Sequence, residues 1–246
     1  MRITTQRNVA QPLTARMAND SAVEGWKVAP ETWQHFSQHW RSKTMEEVVG
    51  AERIHIQVDD DFLHFLVLDV YRTLLSNVIS RQGSRPLGGV LLTGQPGTGK
   101  SVFLNSVEPA LMEFPAGKTT WLWFALAALL ARKEDVVLYR PGRYYLFYGQ
   151  QVYTIWQDPG TIPLSTIAGR PIWCLIDPDA APNAPPRILF DGGKFRFPVQ
   201  ACSPNGERYA SWWLKRRRPV VYGMPLWNKH DLLAGYARNH IDLRYV

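Results

Sequence analysis

Cysteine is almost missing from the chain: there are two in 246 residues, Cys174 and Cys202, each inside an apolar run and without C-x-x-C spacing. That scarcity excludes a disulfide framework and a thiolate zinc site, and it reads as two small buried hydrophobes in a reducing compartment. Long apolar runs are also lacking. The most apolar segment, Trp121 to Ala131, falls well short of the roughly 20 residues a bilayer-spanning helix needs. It reads instead as a buried helix, with no membrane partner. Acids are absent before Asp20, while Arg2, Arg7 and Arg16 precede it. This arm has no apolar centre, so a secretory signal is excluded and only the acid-poor, basic composition of a weak transit peptide is left. His35 and His39 stand four apart but have no third ligand nearby, which favours packing over metal binding.

The chain does have material for a core, since 46% of its residues are hydrophobic, ample for one nucleotide-binding domain with a small N-terminal appendage. The formal net charge is +7 and is unevenly placed. Lys215-Arg216-Arg217-Arg218, with Lys194, Arg196 and Arg208 before it, concentrates positive charge late in the chain. Such a run suits a nucleic-acid or protein contact, a nuclear address, a set of phosphate-facing arginines, or a solvated helix end. Arg216 to Arg218 are candidates for a charge-stabilising arginine on that basis alone.

The pattern with the most chemistry is Gly94-Gln95-Pro96-Gly97-Thr98-Gly99-Lys100-Ser101, a complete G-x-x-x-x-G-K-S directly after the apolar run Gly89-Val90-Leu91-Leu92-Thr93. A strand followed by this loop turns several backbone N–H groups toward one point, at the positive end of the next helix. A triphosphate such as ATP is the expected guest. Lys100 is the candidate for the β- and γ-phosphates, and the Ser101 hydroxyl the candidate ligand for Mg²⁺.

A second Gly117-Lys118-Thr119-Thr120 follows, without the glycine five places upstream of its Gly117, where Met112 stands. After Ser101 the chain soon meets Pro109, whereas after Thr120 it continues through Trp121-Leu122-Trp123-Phe124 to Arg132 without a breaker. A single straight helix from Gly99 to Arg132 is therefore excluded. Deleting Lys100 through Gly117 would restore one uninterrupted loop followed by one long helix. Two readings stay open: an unspliced intron that has been translated, since Gly-Lys-Ser can be encoded through GTAAGT and Ala116-Gly117 through CAG, or a true insertion or duplicated loop edge.

Elsewhere, Trp33, Phe36 and Trp40 recur at helical spacing and predict a short amphipathic helix from Pro30 to Arg41. Asp59-Asp60-Asp61 reads as the N-terminal cap of a helix running from Phe62 through Leu74 and Ile79. The stretch from Gly83 to Pro86 separates that helical part from the nucleotide core. Strands are predicted at Val136–Tyr139, in two segments of Tyr144–Ile155 about Gly149-Gln150, at Pro171–Ile176, at Phe197–Cys202 and at Pro219–Gly223.

Pro171-Ile172-Trp173-Cys174-Leu175-Ile176-Asp177 is an apolar run ending in an acid, the form of a Walker B strand, which makes Asp177 the candidate Mg²⁺ residue. The alternative for Asp177 is an ordinary strand-end turn residue before proline. Asp179 is the candidate for orienting, or taking a proton from, the attacking water. Ser203, just after the next strand, is the candidate sensor of the γ-phosphate.

The blocks Trp33-Gln34-His35-Phe36, Ile54-His55-Ile56-Gln57, Leu92 to Lys100, Trp173 to Asp177 and Ala201 to Tyr209 together resemble the P-loop NTPase region of fungal Crinkler-like and retrotransposon-hot-spot-like proteins. The resemblance spans residues 30–235, and its one specific motif is the phosphate loop. It implies an ATPase core using ATP and Mg²⁺, one that commonly precedes a nuclease-like region and has nuclear or host-directed roles. This chain departs in the interruption after Gly99 and in ending at Val246, which leaves no room for a nuclease. The expected fold is α/β, a P-loop NTPase-type, mostly parallel sheet flanked by helices. A small N-terminal arm and helical segment covers 1–85, and the nucleotide domain covers 86–246, interrupted at 100–117. The expected location is intracellular, cytoplasmic or nuclear. The competing class is a degenerate module that binds nucleotide without hydrolysis, or acts through protein or nucleic-acid contacts; proline after Asp177, where many hydrolysing relatives carry glutamate, favours it.

Overall fold

The computed structural model describes residues 23, 25–59, 61–84, 88–94, 117–140, 142–156, 158–177, 185–191, 193–202 and 217–224. Its strands in chain order are β1 (Lys27–Val28), β2 (Arg53–Val58), β3 (Asp61–Leu66), β4 (Val90–Thr93), β5 (Val136–Arg140), β6 (Arg143–Tyr148), β7 (Gln151–Ile155), β8 (Ile172–Ile176), β9 (Arg196–Cys202) and β10 (Val220–Gly223). Its helices are α1 (Glu31–Ser42), α2 (Met45–Gly50), α3 (Asp69–Ser84) and α4 (Lys118–Ala131).

Eight strands form one sheet in the order β1-β7-β6-β5-β8-β9-β4-β10. The five strands β5, β8, β9, β4 and β10 run parallel; β5, β8, β9 and β4 read as near-continuous apolar runs because they are covered on both faces, whereas the edge strand β10 is partly exposed. Every residue of β8 is buried, as are all of β9 after Arg196. The expected sheet is thus α/β but mixed, because β6, β7 and β1 extend it antiparallel beyond β5. The reason is local: Gly149, at φ +57, supplies the left-handed turn that folds β6 back on β7, and a tight hairpin can only be antiparallel.

α4 is the central helix. Every residue from Thr120 to Ala131 is buried, the mark of a helix enclosed on all sides rather than one with a solvent face. It meets β5, β8 and β9 on one side and α1, α2 and α3 on the other. Trp33 of α1 anchors this layer: its ring stacks on Tyr145 at 3.7 Å and lies 6.1 Å from Trp123. The N-terminal helices therefore share one apolar core with the sheet. α2 begins with a capping box, in which the Glu47 N–H donates to Thr44 Oγ1 at 3.1 Å and the Thr44 N–H donates to the Glu47 carboxylate at 2.6 Å.

The acidic triplet does not cap a helix. Residues 61–66 form β3, paired antiparallel with β2, and Asp59 takes φ +48 in the turn between them. The alternation of buried Ile54, Ile56 and Val58 selects a strand of period two, and Asp tolerates the left-handed turn. The Asp59 carboxylate accepts hydrogen bonds from Trp33 Nε1 at 2.7 Å and Thr32 Oγ1 at 3.1 Å, fastening the hairpin to α1. The helix begins only at Asp69.

Candidate functional site

The carboxyl ends of the parallel strands gather the candidate chemistry on one rim of the sheet. β4 ends at Thr93, and Gly94 follows it. The Met224 N–H donates to the Thr93 carbonyl at 2.7 Å, so β10 holds this end in place. A Cβ on Gly94 would lie 3.3 Å from that of Met224, a close approach that suits glycine. β8 ends at Ile176, and the following Asp177 is half-buried, its N–H donating to the Tyr139 carbonyl at 3.1 Å.

Register fixes how far apart these ends are. Ile176 is level with Gln200, and Leu91 is level with the same residue from the other side. Asp177 is therefore opposite Leu92 across β9, two strand spacings or about 10 Å away, with Gly94 two residues further along. β9 therefore stands between the strand that ends at Thr93 and the one that leads into Asp177. Because β9 and β10 flank β4 although β5 follows it in the chain, this rim is also where the strand order switches, the usual location of a ligand crevice in open parallel sheets.

Opposite Gly94 stands the start of α4. Gly117 precedes it with φ 130 and ψ −157, a backbone region open essentially to glycine alone. Its carbonyl accepts the first helical bond from Trp121 at 2.9 Å, and its N–H donates to the Tyr71 hydroxyl at 3.1 Å. Burial pushes the Tyr71 phenol up to about 12, against the opposing pull of the Gly117 amide, so the hydroxyl stays neutral. The Tyr71 carbonyl also accepts from Trp121 Nε1 at 3.2 Å, making α3 the brace for this helix start. The N-cap residue of α4, Gly117, has no side chain with which to cap it, and the first turn holds no acid. Lys118 is 7% exposed, and its ammonium donates to the Gly94 carbonyl at 3.1 Å.

Of the residues singled out from sequence, Gly94 and Asp177 fall on this rim, whereas Gln95, Pro96, Gly97, Thr98, Gly99, Lys100, Ser101, Asp179 and Ser203 lie outside the described residues. Cys202, the residue before Ser203, closes β9 between the ends of β4 and β8. Sequence reasoning passed over Tyr71. Its place in the apolar pattern of α3 was readable, but nothing local ties it to Gly117, 46 positions away.

The late basic run is at the other rim. Arg217 donates to the carbonyls of Arg196 at 3.2 Å and Gly193 at 2.8 Å, at the amino end of β9. Six residues of strand, about 20 Å, separate that point from the carboxyl rim. Arg217 is thus not placed to stabilise charge beside Gly94 and Asp177, because its guanidinium is engaged in closing the turn before β9. Lys215 and Arg216 lie outside the described residues.

Two buried acids at that amino rim are structural. Asp135 is 1% exposed and accepts from the Gly149 N–H, Ser165 Oγ, the Thr166 N–H and Thr166 Oγ1 at 3.0, 3.0, 2.5 and 2.6 Å. Glu134 pairs with Arg170 at 2.6 Å. Cys174 and Cys202 are free and buried, and burial pushes the Cys174 thiol up to about 12, which makes it inert.

Among the described residues no three His, Cys, Asp or Glu side chains gather as a metal site, and no helix is long and apolar enough to cross a membrane. No family model matches the chain, and neither a curated protein nor a solved structure matches it.

Proposed function

We propose that the chain is an ATP-binding, Mg²⁺-dependent P-loop ATPase domain of the Crinkler and retrotransposon-hot-spot type, acting inside the cell. The observation that carries the reading is the rim itself. The glycine that opens the phosphate-loop pattern and the acid of the Walker B-like strand stand at the carboxyl ends of parallel strands, about 12 Å apart across one intervening strand. A helix start with no acid in its first turn faces the same end, and its N-terminal dipole suits a polyphosphate.

Mg²⁺ keeps several waters and takes only one or two protein ligands beside phosphate oxygens, so a single acid is a sufficient protein contribution. Asp177 supplies it, with a loop hydroxyl as the second ligand. Bound Mg²⁺ would supply charge neutralisation on the phosphate oxygens. In this reading Asp179 orients water and Ser203 senses the γ-phosphate, as the order of strands suggests.

A second reading, a nucleotide-binding module without turnover, is favoured by Pro178 in the position after Asp177. One experiment separates them: calorimetric MgATP binding and phosphate release, measured for the whole chain and for Asp177→Asn. The ATPase reading expects both in the wild type, with phosphate release falling about tenfold or more in the variant. Binding without release selects the module, and no binding in any form of the chain rejects both.

A further inference from the structure

We infer that Lys118 and Thr119, rather than Lys100 and Ser101, complete the phosphate cradle, so that residues 100–117 interrupt it. The inference rests on the ATP-binding reading above and concerns which lysine serves it.

The helix that a phosphate loop requires begins at Lys118 and runs 14 residues. The residue before it is a glycine in a conformation other residues rarely adopt, at φ 130. The next side chain, Lys118, is buried and reaches back to the Gly94 carbonyl at 3.1 Å. That carbonyl is the first of the loop pattern. A buried ammonium has three donors and a full charge. This one spends one donor on a neutral carbonyl, and no carboxylate among the described residues pairs with it. Burying a cation without a counter-charge is costly, and an anion at the start of α4 would remove that cost.

The sequence agrees from an independent direction. Removing 100–117, or equally 99–116, leaves the same product, Gly94-Gln95-Pro96-Gly97-Thr98-Gly followed by Lys118-Thr119. This is a full G-x-x-x-x-G-K-T whose last glycine can be Gly117, the residue found in the glycine-only conformation. Thr119 then occupies the position of the metal-facing hydroxyl. Tyr71, holding the Gly117 amide, is the positioning residue for this half of the cradle.

The test measures MgATP affinity for the whole chain, for Lys118→Met, for Lys100→Met and for the chain lacking 100–117, with thermal unfolding of each as the check on folding. The expected result is a loss of about ten- to a hundredfold for Lys118→Met, the range for a charged hydrogen bond, with Lys100→Met within about twofold of wild type and the shortened chain binding at least as well. Loss with Lys100→Met and retention with Lys118→Met overturns the inference while leaving the ATP reading intact. If neither the whole nor the shortened chain binds, the ATP reading itself fails. Should Lys118→Met not fold, an ATP acyl phosphate, which acylates the amine beside the bound phosphates, decides on the wild-type chain. Peptide mapping then finds the label on Lys118, and a label on Lys100 instead overturns the assignment.

Discussion

Replacing Gly117 with alanine probes the backbone that starts α4, and its cost can be worked from geometry. At φ 130 and ψ −157 an L-residue with a Cβ incurs about 1–3 kcal/mol of strain. Alanine also lowers the entropy of the unfolded chain, which returns about 0.4–1 kcal/mol. The net expectation is a destabilisation of about 1–2 kcal/mol, more if the 3.1 Å bond from the Gly117 N–H to Tyr71 is broken as well. For a chain of this size that lowers Tm by about 2–8 °C. Gly50→Ala is the control. Gly50 closes α2 with nothing within 4 Å of a new Cβ and no positive φ, so alanine there should be neutral or slightly stabilising. Paired calorimetric melts of the two variants without ligand supply the measurement. Equal Tm values for Gly117→Ala and Gly50→Ala would refute the claim that a glycine-only backbone sets the helix start.

Asp135→Asn should cost about 2–4 kcal/mol, read as a lower denaturant midpoint at unchanged slope, because an amide group must face a buried donor whichever way it turns. Both thiols should resist a colourimetric disulfide reagent in the folded chain and react fully in denaturant, since Cys174 and Cys202 are buried. The fold should weaken in alkali. The Tyr71 phenol rises from an ordinary value near 10 to about 12, so the folded state holds its proton longer than the unfolded state does. The resulting stabilisation is whole below pH ~10 and lost as pH climbs to ~12, about 2–3 kcal/mol in all. Urea titrations from pH 8 to 11 on wild type and Tyr71→Phe should show the steeper decline in the wild type.

The elements legible in sequence were those whose burial is written locally. The apolar runs that became β4, β5, β8 and β9, the hairpin about Gly149, the Trp33-Phe36-Trp40 helix and the unbroken α4 all stand where their patterns put them. The β2–β3 hairpin was misread because three consecutive acids before an apolar stretch look like a cap until the period-two alternation upstream is weighed. The two residues of β1 have no local signal and exist only by pairing with β7. α2 did carry one, since Thr44-Met45-Glu46-Glu47 spells a capping box. At the candidate site, strand ends told where Gly94 and Asp177 would fall. The reach of Lys118 to Gly94 did not follow, because it joins positions 24 apart through tertiary packing. Transcript sequencing across 100–117 gives the genetic counterpart: messages that always carry this segment refute the intron origin.

The separation of the two rims has a mechanical corollary. Any polyanion gripped near Arg217 and Arg218 would sit at the opposite pole from Gly94 and Asp177, with the length of β9 between them. A signal from one pole to the other would have to pass through fully enclosed strands that resist bending. Communication would then take the form of a rigid tilt of the central layer, felt at both poles together, instead of a loop movement confined to either one.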